Sequence, residues 1–393
     1  NNQIYLSDYE GWYSVRDEAF YAESELLKKE NEFFAPTGSP VEWVKEKSYF
    51  FKLSKWQDKL LNYYRENPES IAPKSRYNEV VSFIESGLRD LSISRTTFTW
   101  GIPVPDDTKH VMYVWIDALC NYLTSIGYPN IKGNNFDKFW PAIHVVGKDI
   151  LRFHAVYWPA FLMAAELEPP KKIFAHGWWT NEGEKISKST GNVIDPYDII
   201  NKYGLDQIRF FLFREVPFGN DGDFSKNAIA QRINADLANN YGNLVQRITS
   251  FAVKNCNSVV KKSEDFTEED KKLLKNLKNQ FVEYTKFMNN EKIDKGLKLI
   301  FELMSDANAY IDNQAPWKLL KSDLQRMNVV LFTVLNIIRG CSIMLLPVMP
   351  DSANKVLDIL NVDNKDRYLK NINTLISNDI KIVNPNPIFP RIE

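Results

Sequence analysis

In the middle of the chain, short unbroken apolar runs bounded by polar turns alternate with longer amphipathic stretches. His110 to Asp117 is followed by Ala118 to Ile126, Ile143 to Gly147 by Asp149 to Glu166, and Lys172 to His176 closes the series. The alternation predicts strand, helix, strand, helix, strand. Continuous apolar strands joined through helices imply a parallel sheet with right-handed crossovers, and such sheets take their ligands at the carboxyl ends of the strands. Gly147 and His176-Gly177 fall at those ends. After about Phe224 the period changes. Ile233, Leu237, Tyr241, Leu244, Ile248 and Phe251 recur every three or four residues and draw one apolar stripe along a long helix. Similar stripes run from Leu273 to Met288, Leu297 to Ile311 and Val329 to Leu346, the last stopped by Pro347 and Pro350. A helix bundle is therefore expected behind the α/β region, with an extended tail around Pro385, Pro387 and Pro390. From Asn1 to about Trp100 aromatic and charged residues mix without a sustained period, which reads as α+β.

Composition narrows the class. A chain of 393 residues suits two or three domains, at roughly 100 to 200 residues each. With 44% hydrophobic and 13% aromatic residues it holds enough apolar surface to offset ordering entropy, so bulk disorder is excluded. Lys plus Arg is 49 against 50 for Asp plus Glu, a formal charge of −1, and any site for a polyanion must be local. Cys120, Cys256 and Cys341 lie far apart with no CxxC pair, which argues against a disulfide framework and a thiolate zinc site and fits a reducing compartment. Apolar runs such as Ile343 to Val348 fall short of the roughly 20 residues that span a bilayer, and no basic-then-apolar leader opens the chain. A soluble protein without a membrane partner is expected.

The stretch with the most chemistry is Lys185-Ile-Ser-Lys-Ser-Thr-Gly-Asn192, directly after the expected strand ending in His176-Gly177. Two lysines three apart, between small hydroxyl residues and before glycine, make a cationic loop suited to phosphate oxygens as charge moves onto a leaving group. No GxxxxGK[ST] occurs, so it is not a Walker loop. Taken alone, the pentapeptide reads equally well as a solvated turn.

Lys185 to Ser189 resembles the KMSKS signature of class I aminoacyl-tRNA synthetases, and its surroundings are similar to the methionyl-tRNA synthetase family in particular. Four further segments agree in order and spacing: Tyr9-Glu-Gly-Trp-Tyr13, Tyr113-Val-Trp-Ile-Asp-Ala118, Gly147-Lys-Asp-Ile150 with Phe153-His154, and Ala315-Pro-Trp317. The resemblance covers nearly the whole chain. It implies the second half of a Rossmann-like catalytic domain followed by an all-α anticodon-binding bundle: the end of a connective peptide over 1–50, the Rossmann-like half over 51–180, the signature loop and stem-contact region over 181–224, and the anticodon-binding domain over 225–393. The implied activity is methionine–tRNA ligation through methionyl-adenylate, with methionine, ATP with Mg2+ and tRNA(Met) as substrates.

The resemblance also carries residue roles. Lys188, assisted by Lys185, would stabilise pyrophosphate charge, and Arg95 would serve the same transition state. Gly147 and Asp149 would approach the ATP ribose, His176 and Gly177 would complete the nucleotide-binding strand end, and a backbone group at Trp179 would meet adenine. Trp115, Ala118, Tyr122, Ile150 and His154 would form the methionine pocket, apolar with soft contacts because a thioether hydrogen-bonds weakly and favours aromatic edges. Leu119 stands where some family members have proline. Asn243 and Arg247, at i and i+4 on one helix face, would read anticodon bases with Trp317 stacking on one. Each residue taken singly has a plain alternative: a tight turn at Gly147, a helix N-cap at Asp149, core positions for the aromatics and His154, and a solvated helix face for Asn243 and Arg247.

Two departures stand out. The histidines are His110, His144, His154 and His176, none in an HxGH, so the other family signature and the half of the fold that carries it are expected on a missing N-terminal segment, cleaved, on another chain or simply not included. That leaves a non-catalytic tRNA-binding scaffold as the alternative, with a synthetase for another bulky aliphatic amino acid a third and weaker one. Zinc-bearing relatives carry a cysteine pair where Ser14 and Asp17 stand, and the region around Thr37-Gly-Ser39 has none either. Hydroxyls and a lone carboxylate do not replace thiolates in a structural tetrahedral site, so no zinc is expected. The chain ends at Pro390-Arg-Ile-Glu393 without an appended module, and a monomer is expected, in a bacterial cytoplasm or, alternatively, a mitochondrion.

Overall fold

A computed structural model describes residues 2–392 apart from 17, 18, 22, 30, 31, 131, 133, 134, 187–190 and 384. The chain divides into two compact units, Asn1–His176 and Gly177–Glu393.

In the first unit, Ile4–Ser14 pairs antiparallel with Glu42–Phe51 along nearly its whole length, with Ala19–Tyr21 on one edge and Leu91–Ser92 on the other. Helices Gln57–Glu66 and Lys74–Glu85 follow. The parallel sheet is small. Ile143–Gly147 and Lys172–His176 run side by side in register, Gly147 opposite His176, and Ile71–Ala72 adds a third strand beyond Lys172–His176. The middle strand is buried on both faces, as its unbroken apolar run requires. Ile143–Gly147 alternates instead, with His144 and Val146 buried and Ile143 and Val145 exposed at 52% and 56%.

The expected strand over His110 to Asp117 is corrected. The strand is Asp107–Met112, it pairs antiparallel with Ser94–Arg95 and Pro103–Val104, and a helix begins at Val114. Val114-Trp115-Ile116 is a short apolar run whose period cannot distinguish strand from helix, and Asp117 in the first turn suits the positive end of the helix dipole. The amphipathic stretch after Gly147 is one irregular helix, with a 3-10 turn at Lys148–Ile150, a π segment at Phe153–Tyr157 and an α segment at Trp158–Ala164.

The second unit opens with a three-stranded sheet in which Trp179–Asn181 lies between Glu184–Lys185 and Gly222–Phe224. A continuous helix then runs through Lys226–Arg232, a π segment at Ile233–Gly242, and Asn243–Asn255. Helices Glu268–Asn289, Ile293–Gln314, Leu324–Leu345 and Pro350–Ile359 complete the bundle. In the tail, Ile380–Lys381 pairs with Val259–Val260.

Leu324–Leu345 corrects the reading of apolar runs. By length and composition it could cross a membrane, yet 94% of its most apolar stretch is buried within the protein. Several of its polar side chains are satisfied inside the protein: Thr333, Asn336 and Ser342 bond carbonyls one turn back, and Arg339 donates from one terminal nitrogen to the Asn371 and Thr374 carbonyls. Gly340 lets Leu277 of a neighbouring helix approach, since a Cβ there would stand 2.8 Å from a leucine methyl.

Candidate functional site

In the first unit an aromatic cluster gathers most of the residues expected around methionine. Trp115, Ala118 and Tyr122 share one face of the Val114–Thr124 helix by their spacing. Trp115 stacks on Phe153, ring centroids 3.8 Å apart and planes 9° apart, and meets His154 edge-on at 5.9 Å. His154 is 1% exposed, and its Nδ1 lies 2.9 Å from the Ile150 carbonyl. A carbonyl only accepts, so the proton sits on Nδ1 and Nε2 accepts from the Tyr122 hydroxyl at 2.8 Å. Burial lowers the His154 pKa, partly opposed by the bond to Ile150. Beside it, His144 accepts from the Trp158 indole N–H at 3.2 Å and packs against the Tyr122 ring at 4.3 Å. Burial first, and the nearby His154 second, push the His144 imidazole down to about 4. Both imidazoles are therefore neutral at physiological pH. Aromatic walls and neutral polar groups suit a polarisable, uncharged side chain. Ala118 stands exposed at the rim.

The strand ends lie in the same unit. A Cβ on Gly147 would run into the Asp149 carboxylate, so the glycine permits the close approach of that side chain to the strand terminus. Gly147 faces His176 across the ladder, and Asp149 is exposed in the first turn of the irregular helix. Arg95 lies in the short strand Ser94–Arg95. It is only 4% exposed, donates to the Ser92 hydroxyl and the Ser94 carbonyl, both at 2.8 Å, and lies over the Tyr113 ring at 4.5 Å. In this arrangement the guanidinium holds strands together instead of reaching into solvent.

In the second unit, Gly177 packs directly against the Asn220–Asp221 backbone, and the Trp178 N–H donates to Asp221. The Trp179 ring turns inward, against Phe211 and Phe224 and over Gly222, where a Cβ would stand 2.8 Å from the indole. Lys185 is exposed, its Nζ 5.5 Å from the Trp178 ring centroid. Asn192 donates to the Lys185 carbonyl and Asn181 to the Asn192 carbonyl, at 3.0 and 2.9 Å, which closes the base of the signature loop. Lys188 lies outside the described residues.

On the bundle, Arg247 lies 5.0 Å over the Trp317 ring and pairs with Asp312, while Asn243 is exposed one turn earlier. Ala315, with φ of 45°, ends one helix and turns the chain into Pro316–Ser322, so Trp317 stands 41% exposed beside Arg247. A flat ring, a guanidinium and an amide on one surface are groups that stack on and hydrogen-bond unpaired bases.

Residues 30–249 match the family described as tRNA synthetases class I (M), and residues 260–393 match the anticodon binding domain of methionyl tRNA ligase. The methionine–tRNA ligase of Rickettsia felis is 54% identical over 404 aligned positions, covering 100% of this chain and 77% of that one. The chain belongs to the methionyl-tRNA synthetase family. The Brucella suis methionine–tRNA ligase is 51% identical over 394 positions, with 100% and 76% covered. Mycobacterium tuberculosis methionyl-tRNA synthetase bound by methionyl-adenylate superposes with a TM-score of 0.95 at 45% identity, covering 99% of this chain and 78% of that one. The expected fold class, a class I catalytic domain with a parallel sheet followed by a helical anticodon-binding domain, holds. Neither the scaffold nor the other-synthetase alternative is favoured by these relatives.

Several side chains that shape the methionyl-tRNA synthetase surfaces escaped the sequence reading. Phe153 stood next to His154 in a motif, but only folding stacks it on Trp115. His144 and Trp158 read as ordinary strand and helix positions. Asp312, the partner of Arg247, carried no signal beyond being one acid on an amphipathic helix.

Proposed function

We infer that this chain supplies the second half of the catalytic domain and the anticodon-binding domain of a methionine–tRNA ligase. The observation that carries the reading is similarity to methionine–tRNA ligases along the chain's full length; the uncharged aromatic site around His154 supports it independently. Methionine's side chain lies among Trp115, Ala118, Tyr122, Ile150 and His154. ATP, entering with Mg2+, places its ribose by Gly147 and Asp149, at the strand end that His176 and Gly177 complete, and its adenine against the Trp179 backbone. The methionine carboxylate attacks the α-phosphorus, the bond to the bridging oxygen breaks, and pyrophosphate leaves against Lys185 and Lys188. The terminal tRNA hydroxyl then attacks the adenylate carbonyl, and AMP departs. Arg95 serves the same transition state as Lys185 and Lys188.

A segment with the HxGH signature, which this sequence does not contain, completes the site, and the half-exposed Ile143 and Val145 on the edge of the parallel sheet agree with a further layer there. The enzyme works as a monomer in the cytoplasm, consistent with three cysteines that form no disulfide. The deciding assay is methionine-dependent ATP–pyrophosphate exchange by this chain together with that segment. Exchange driven by leucine or isoleucine, or tight tRNA binding without any exchange, overturns the reading.

Two further outcomes are expected. Arg247→Ala or Trp317→Ala should leave exchange intact while weakening tRNA charging by roughly 1–3 kcal/mol, the loss typical of one base contact. Equal loss in both assays counts against anticodon reading. Metal analysis of the purified protein should find no stoichiometric zinc. Thr37 and Ser39 bond each other at 3.1 Å in a turn closed by Ala35 N–H to the Ser39 carbonyl, where zinc-bearing relatives would place thiolates. Ser14 is buried in its strand and Asp17 lies outside the described residues.

A further inference from the structure

Tyr122 and His154 are held by each other and by Ile150, and packed against the Tyr122 ring is His144. It belongs to the edge strand Ile143–Gly147, whose alternation turns His144 inward, and it is 5% exposed. Its ring lies 4.3 Å from that of Tyr122 and 5.9 Å from that of His154. Its Nε2 accepts from the Trp158 indole, so in the neutral ring the proton is on Nδ1. One side chain thus links the sheet, the Val114–Thr124 helix, the π segment bearing His154 and the helix bearing Trp158. The titratable groups packed against it are Tyr122 and His154, while Trp140 and Trp158 contribute uncharged rings.

We propose that His144 is a positioning residue for methionine recognition: by accepting from Trp158 while backing Tyr122, it holds the Tyr122–His154 pair in the geometry the substrate side chain meets. Removing the acceptor leaves a buried indole N–H unsatisfied, and the cheapest relief is a shift of Trp158 that moves the rings stacked beside it. A loosened wall weakens ground-state binding of methionine without touching the groups that move charge during adenylation.

The proposal rests on the reading of this cluster as the methionine site, and the test separates the two. In exchange assays with the complete enzyme, a wild type without methionine dependence sinks that reading. With an active wild type, His144→Phe, which keeps a ring against Tyr122 but removes the acceptor, should raise KM for methionine about tenfold, with kcat changed by less than about twofold. His144→Gln, whose amide oxygen takes the place of Nε2, should restore KM. Because His144→Phe leaves an unpaired donor that could compromise folding, Trp158→Phe with His144→Phe serves as the second variant: with the donor gone, the pair should show no KM penalty beyond Trp158→Phe alone. Unchanged KM in His144→Phe, equal KM increases in the Phe and Gln variants, a fall in kcat at constant KM, or full additivity in the double variant overturns the proposal.

Discussion

Replacing Lys188 by alanine is expected to slow methionine-dependent pyrophosphate exchange by about a hundred- to a thousandfold, the loss seen when one preorganised donor to developing charge is removed. The loop bearing Lys185-Ile-Ser-Lys-Ser189 is held at both ends. Its first foot is the strand Glu184–Lys185, paired with Trp179–Asn181, and its second is tied back through Asn192 and Asn181. The pyrophosphate oxygens gain charge only as the bond to the α-phosphorus breaks. The effect should therefore fall on kcat more than on KM for ATP. Lys188→Arg keeps the charge but replaces a compact ammonium with a planar fork, and partial activity is expected. Exchange that survives Lys188→Ala unaltered would remove the loop from the mechanism.

The largest effect on stability should come from Arg326→Leu in the bundle, at about 3–5 kcal/mol, because it strands a buried carboxylate. Asp270 is fully buried; both its oxygens accept from Arg326, one at 2.8 Å, and it also accepts from the Tyr310 hydroxyl and the Thr267 N–H. Arg326 in turn donates to Gln314 at 2.6 Å. Thr267 and Asp270 form the capping box that starts the Glu268–Asn289 helix, so one network ties three helices together. Burial raises the Asp270 pKa, but the hydrogen bonds from Arg326, Tyr310 and Thr267 outweigh it and the net shift is downward. A carboxylate depressed in the folded state adds stability that is complete above its unfolded value and lost as pH falls through the folded one, so this contribution should fade below about pH 4. Urea unfolding of the wild type and of Arg326→Leu, followed from pH 7 downward, measures both. Replacing Asp270 and Arg326 together by leucine should recover much of the loss, because no charge is then left unpaired. A single variant as stable as the wild type would show the network to be dispensable.

The bundle helices could be read from the chain because their apolar residues recur at the helical period over many turns. The first turn of the Val114–Thr124 helix could not, since three apolar residues after a strand satisfy either period. The third parallel strand, Ile71–Ala72, is too short to have a period at all. Among the site residues, Trp115, Tyr122 and His154 were legible as members of motifs, and folding brings them together. Arg95 was legible as a motif member too, but its burial against Ser92 and Tyr113 was not, because nothing in Ile93-Ser-Arg95 says which way the guanidinium turns.

Sequence alone determined what is local or repeated: the switch from α/β to helical periodicity, the cationic loop, the lack of paired cysteines and the order of motifs that places the chain in its family. Tertiary structure alone decided what depends on partners distant in the chain: that Phe153 covers Trp115, that two neutral histidines back one tyrosine, and that Asp312 holds Arg247 beside Trp317. The division follows from the range of the forces. Periodicity and turn chemistry act between near neighbours and are written in consecutive letters, whereas burial, which sets protonation and aims each polar side chain, exists only once segments far apart in the chain exclude water between them.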